Sequence, residues 1–160
     1  MLGPPGTKTR LDAALEVFFP GSSRSPWRFA LEVGEITPGV PEEALGFAIV
    51  TTEVIHNSGA PSTAVRLAAG GNVLAYSGDT EWTDSLIPIA AGADLFIIEC
   101  YDYARDLKGH MSFVKLIEKR ALLTARRIML THMNPTMLAR TEDAIAQGFL
   151  VAADGLTVDL

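Results

Sequence analysis

Apolar positions along the chain recur with two different periods, and the switches between them outline its elements. From Thr7 to Phe18, the residues Leu11, Leu15, Val17 and Phe18 make a rough helical face, with Thr7 as a plausible N-cap and Pro20-Gly21 as the stop. "WRFALEVGEI" (27–36) alternates, with Phe29, Leu31 and Val33 on one side, and predicts a strand. The Pro/Gly-rich "TPGVPEEALG" (37–46) predicts a surface connection. "FAIVTTEVIH" (47–56) predicts a strand leading to His56. Residues 63–79 predict a hairpin that turns at Gly70-Gly71-Asn72 and delivers Asp79 on a Ser-Gly-Asp turn.

In the second half the apolar runs are continuous rather than alternating. "ADLFIIEC" (93–100) and "IMLTH" (128–132) predict strands buried on both faces. Helices are predicted over 81–92, over 112–127 with Ser112 as cap, and over 134–148; a hairpin on Asp154-Gly155 closes the chain. Strands alternating with helices imply a mixed sheet with flanking helices. No repeat, linker or low-complexity tract interrupts it, so residues 1–160 read as one domain without an internal boundary.

Composition narrows the function classes. With 160 residues, 48% of them hydrophobic and 20% charged, the chain can bury a sizeable core. A net charge of −6 without basic runs offers no footprint for nucleic acid. No stretch has the length of a membrane span and the start has no secretory pattern, so a cytoplasmic location is expected. A single cysteine, Cys100, excludes an internal disulfide and any multi-thiolate zinc site, and its place in an apolar run predicts a buried, inert thiol.

The candidate chemistry lies at strand ends. His56, Asp79 and His132 each follow a predicted strand, and His110 precedes a predicted helix; His56, His110 and His132 are the chain's only histidines. Imidazole and carboxylate side chains gathered at one sheet edge suit zinc, manganese or iron and metal-assisted hydrolysis. The bland reading of each residue is a histidine or aspartate that merely caps a strand in an ordinary α/β domain. That reading predicts no metal affinity.

The ordered series "GPPGT", "VIHNSGAPSTAVRL", "LAYSGDTEW", "DLFIIEC", "GHMS" and "IMLTHMNP" resembles the second half of the metallo-β-lactamase fold hydrolases, most closely the branch with ribonuclease Z and the phosphodiesterase-like enzymes. The resemblance implies an α+β fold, the αββα four-layer sandwich, of which this chain is the C-terminal half. It implies two divalent metal ions, zinc first, with His56, Asp79 and His132 as ligands and Asp79 shared between the ions. A bridging hydroxide would then attack an ester-type substrate: a phosphodiester, sulfate ester, lactone or thioester. His110 takes the place of the histidine that contacts the scissile group and protonates the leaving group. Glu99 would orient a neighbouring group; its rival reading is a solvated strand-end carboxylate. The family's His-x-His-x-Asp-His motif is not in this sequence. The resemblance therefore implies a ligand set completed by the missing N-terminal half or by a second chain, with a homodimer as one form, low metal occupancy and little activity for this chain alone. A small-molecule ester is the expected substrate. The alternative is a truncated or split half serving as a non-catalytic association module.

Overall fold

The computed structural model describes all 160 residues. In chain order the elements are β1 (Leu2–Gly3), α1 (Thr7–Phe18), β2 (Gly34–Glu35), β3 (Glu42–Ala44), β4 (Phe47–Glu53), β5 (Thr63–Ala69), β6 (Asn72–Tyr76), α2 (Leu86–Ala90), β7 (Leu95–Glu99), α3 (Phe113–Lys119), β8 (Ile128–Thr131), α4 (Pro135–Leu138), α5 (Thr141–Ala146) and β9 (Leu150–Val151). Strands β3 to β9 form one seven-stranded mixed sheet in sequence order. Its first four strands are antiparallel, and β6 to β9 are parallel.

This topology decides where the chemistry can sit. Two antiparallel reversals, β4 to β5 and β5 to β6, leave β4 and β6 pointing the same way, and β7 and β8 run parallel to β6. The C-terminal ends of β4, β6, β7 and β8 therefore share one end of the sheet. The Gly70-Gly71 turn between β5 and β6 lies at the opposite end, with φ of 59° and 86°, the paired left-handed values of a two-residue hairpin.

The core lies on one face. Ala64, Ala75, Phe96, Ile98, Cys100, Ile128 and Leu130 pack under Leu86, Ile89, Phe113, Leu116, Met137 and Ala144 from the helices. Burial pushes the Cys100 thiol up to about 12, so the expected inert thiol is found. On the other face Ile49 and Met129 are buried, but Val65, Leu67, Leu74 and Ile97 are only half-buried and Tyr76 is exposed. The N-terminal segment reaches only part of that face, where Leu2, Pro4 and Ile36 line a small cavity with Thr51 and Val65. No helix is long and apolar enough to cross a membrane.

Several sequence expectations change. Residues 27–33 form no strand, and Phe29 is exposed; only Gly34–Glu35 pairs, in parallel with β1. Alternation alone found no neighbouring strand edge to bond. Within the expected surface connection, β3 pairs with β4 through a Leu45-Gly46 turn whose φ values are 57° and 82°. The long helices are shorter: α3 ends in a 3₁₀ turn at Arg120–Leu122, and the last helix splits into α4 and α5. The closing hairpin reduces to β9, which joins β8 in parallel.

Ile98 has no exposure and lies at the centre of the helix-covered face. Ile98→Ala is expected to destabilise by roughly 2–5 kcal/mol, read as a lower urea midpoint at unchanged slope.

Candidate functional site

The shared strand end collects the polar landmarks. His56 follows β4 by three residues, Asp79 follows β6 by three, Glu99 is the last residue of β7 and His132 directly follows β8. Their loops are tied together. Ile55 N–H donates to Thr80 Oγ1 at 3.0 Å, and Glu81 N–H donates back to the Ile55 carbonyl at 2.9 Å, which locks the His56 loop to the Asp79 turn. Ser77 Oγ accepts the Glu99 N–H at 2.9 Å and donates to the Gly78 carbonyl at 2.7 Å. Gly78 needs its φ of 62°, and a Cβ there would lie 3.1 Å from the Thr63 carbonyl oxygen. Thr80 is buried as this cross-link.

His110 arrives from a different direction. The segment after β7 loops out and returns, with Tyr101 N–H donating to the Met111 carbonyl and Phe113 N–H donating to the Asp102 carbonyl, each at 2.9 Å. Ser112 caps α3 as expected, accepting from Lys115 N–H at 3.1 Å. Gly109, at φ 84°, passes so close to His56 that a Cβ would lie 3.2 Å from the ring. Its N–H donates to Glu81 Oε1 at 2.8 Å. The His110 ring then stands 5.2 Å, centroid to centroid, from both His56 and His132. Tyr101 stacks on His110 at 4.6 Å and lies tilted by His132 at 5.3 Å, an aromatic wall that strand-end spacing gave no reason to expect.

All four expected residues therefore meet. Ligand atoms of His56, Asp79 and His110 lie within 4.8 Å of one another, and His132 Nε2 is 3.6 Å from Asp79 Oδ2. His132 holds a φ of 57°, an uncommon conformation for a residue with a Cβ, and such strain concentrates where a side chain must be aimed. The side chains of His56, Asp79 and His132 make no hydrogen bond within the protein, so their lone pairs stay free; their donor set suits a divalent cation. His110 enters the tightest group, whereas the sequence had placed His132 there.

Glu99 settles one of the expectations. It has no solvent exposure, which removes the reading of a solvated strand-end carboxylate. Its Oε1 accepts the Thr80 N–H, and its Oε2 accepts the Met111 N–H at 3.2 Å and lies 3.3 Å from His110 Nδ1. Burial pushes its carboxyl up to about 8 against those backbone donors, with the Asp79 charge adding to the rise. Burial, then the neighbouring His132, lowers His110. Both shifts favour an uncharged pair, so the contact orients the imidazole as a hydrogen bond through Nδ1 and leaves Nε2 without a partner in the protein.

Asp102 braces the loops around the site. Its carboxylate accepts from Ala104 N–H, Arg105 N–H, Arg105 Nη2, Asn134 Nδ2 and Thr136 Oγ1, joining the β7 loop to the segment after His132. The hydrogen bonds from the Arg105 guanidinium and then Asn134 hold it well below the usual carboxylate range.

A family profile described as "Beta-lactamase superfamily domain" matches residues 1–133. The probable metallo-hydrolase YhfI of Bacillus subtilis is 33% identical over 101 residues, covering 60% of this chain and 40% of that protein. Ribonuclease Z of Mycobacterium marinum is 28% identical over 165 residues, covering 89% of this chain and 58% of that protein. The chain thus spans roughly half the length of these relatives. Among solved structures, Zn(2+)-bound PqqB from Methylobacterium extorquens superposes with a TM-score of 0.73 at 20% identity, over 99% of this chain and 64% of that one. The short form of human tRNase Z gives 0.71 at 18% identity, over 99% of this chain and 66% of that one. These likenesses establish a shared fold.

Gly109→Ala is expected to cost about 1–2 kcal/mol through its left-handed backbone and to shift the His56 imidazole NMR signals through the 3.2 Å contact. Because the folded Asp102 pKa is depressed, its stabilisation is present above about pH 4 and is lost as pH falls through the folded value. Asp102→Asn should lower the melting temperature at pH 7 and flatten its decline between pH 4 and pH 2, as followed by circular dichroism.

Proposed function

The chain belongs to the beta-lactamase superfamily, and from that premise we propose that it contributes the site of a metal-dependent hydrolase acting on an ester-type bond. The observation that carries the reading is the convergence of His56, Asp79, His110 and His132, from four separate segments, on one end of the sheet.

In this reading His56, Asp79 and His132 would hold two divalent cations, zinc or alternatively manganese or iron, with Asp79 as the ligand they share. When bound, such ions supply Lewis-acid activation of water and stabilise charge on the departing oxygen. The residues of the chain do the rest. His110, fixed through Nδ1 by Glu99, presents Nε2 to the reacting centre. Water contributes hydroxide to the electrophilic centre, its other proton passes to Nε2 of the uncharged His110, the bond to the leaving oxygen breaks, and His110 delivers that proton to the leaving oxygen. Tyr101 and the Glu99 contact hold the imidazole plane, so the transfer needs no reorientation. Further ligands are proposed to come from another segment or chain, because three side chains divided between two ions leave each below the usual number.

The mutual proximity of His56, Asp79 and His110 favours a second reading, in which His110 is the third ligand of one ion. The ribonuclease Z relatives suggest RNA as substrate, but a chain of net charge −6 without basic runs favours a small molecule over a polyanion.

Elemental analysis after zinc loading and gel filtration tests the reading. Asp79→Ala is expected to abolish binding of a pair of ions; retention of the wild-type stoichiometry would overturn the shared-ligand role. His110→Ala should keep the metal and lose roughly 10²–10⁴ in turnover of the active assembly if it is the proton donor. Loss of metal in that variant would assign it as a ligand.

A further inference from the structure

A cavity of about 570 Å³ opens beside the histidine cluster and shares His110 with it. Its size falls within the range of small-molecule sites. Its walls carry Lys108, Lys115 and Lys119, together with the indole of Trp82. We propose that this cavity binds the anionic, non-reacting end of the substrate, a phosphate group carried on an aromatic ring. Its role as a substrate subsite rests on the hydrolase reading.

The charge pattern supports the assignment. The protein has a net charge of −6, yet three lysines line this one cavity. The two carboxylates on the same wall already have donors: Glu81 Oε1 accepts the Gly109 N–H at 2.8 Å, and Asp106 Oδ1 accepts the Ser112 hydroxyl at 2.6 Å. Lys115 and Lys119 share a single acceptor, Glu118, at 2.8 and 3.3 Å. Glu118 is 54% exposed, so water screens much of its charge. Lys108 makes no ion pair. Among the lining side chains three lysines thus stand against two carboxylates, and Lys108, with no ion pair of its own, is the cation left to meet a phosphate.

Geometry adds to charge. Lys115 and Lys119 are four residues apart on α3, which puts both ammonium groups on one face of the helix. Their side chains are 32% exposed, so the stems are packed while the heads stay near solvent, suited to a compact anion. Trp82 packs against the core, and its Nε1–H donates to Asp84 Oδ1 at 3.0 Å, which fixes the indole as a wall for a ring. His110 borders both spaces, so a ligand anchored by the lysines extends past the imidazole toward Asp79.

Trp82 reports on the cavity directly in a Trp27→Phe background, because these are the only two tryptophans. Phenyl phosphate is titrated into the full chain in EDTA, with Trp82 fluorescence as readout and with phenyl sulfate and benzyl alcohol as comparisons. A saturable change with phenyl phosphate is expected, with none for benzyl alcohol. Lys108→Gln combined with Lys115→Gln should weaken it tenfold or more, Lys108→Arg should retain it, and Asp79→Ala should leave it unchanged. Comparable binding of phenyl sulfate would support the anion site and widen the class to sulfate. No saturable change, equal binding of benzyl alcohol, indifference to the lysine substitutions, or loss on Asp79→Ala would each overturn the proposal. Failure of zinc uptake would sink the hydrolase reading without altering this titration.

Discussion

A carboxylate sealed from water must find all its partners inside the protein, and Glu99 finds them on two separate segments. Thr80 belongs to the turn after β6, and His110 and Met111 are neighbours on the approach to α3. Each partner fixes a neighbour that faces the site: Thr80 follows Asp79, and Met111 follows His110. One buried side chain at the end of β7 thus sets the spacing between the Asp79 turn and the histidine loop. Burying such a group unpaired would cost several kcal/mol, so the loops have a strong incentive to close on it. The same demand explains why the apolar strand "LFIIE" ends on an acid rather than on another aliphatic residue.

The sheet is asymmetric in a way that bears on assembly. Helices α2 to α5 seal one face, while Val65, Leu67, Leu74 and Ile97 on the other remain half-open. A half-covered apolar sheet face favours a covering layer. This agrees with the four-layer sandwich that the family resemblance implies and with the chain's coverage of 58% of the Mycobacterium marinum ribonuclease Z. The histidine cluster lies at an end of the sheet rather than on either face, so a covering layer would border it without burying it.

Much of the site could be read in the sequence because strand direction is a strong constraint. His56, Asp79 and His132 each follow a recognisable strand, and once those strands run the same way their ends must converge. What could not be read depends on contacts between distant segments. The burial of Glu99, the aromatic wall of Tyr101 and the strained backbone of His132 leave no local pattern. Elements failed where local signals had nothing to bond. Trp27, Phe29 and Leu31 alternate as a strand should, but no sheet edge passes within reach. The last helix divides at Arg140, whose backbone is non-helical at φ −125° and ψ 20° and whose guanidinium sits 4.1 Å over the Tyr103 ring, a contact that helix propensity does not register. The β3 hairpin was hidden because its turn is Leu45-Gly46, and leucine seldom takes a left-handed conformation.

The Gly70-Gly71 turn has a use that follows from its place. Five residues of β6 separate it from the Asp79 loop, about 17 Å of extended chain. Nothing lies against either glycine where a side chain would begin. The turn is therefore a natural port for laboratory engineering: an epitope, a fluorophore-bearing loop or a surface tether could be spliced in there. The far end of the sheet would keep its geometry, so the molecule could be immobilised or tracked with its histidine cluster facing freely away from the support.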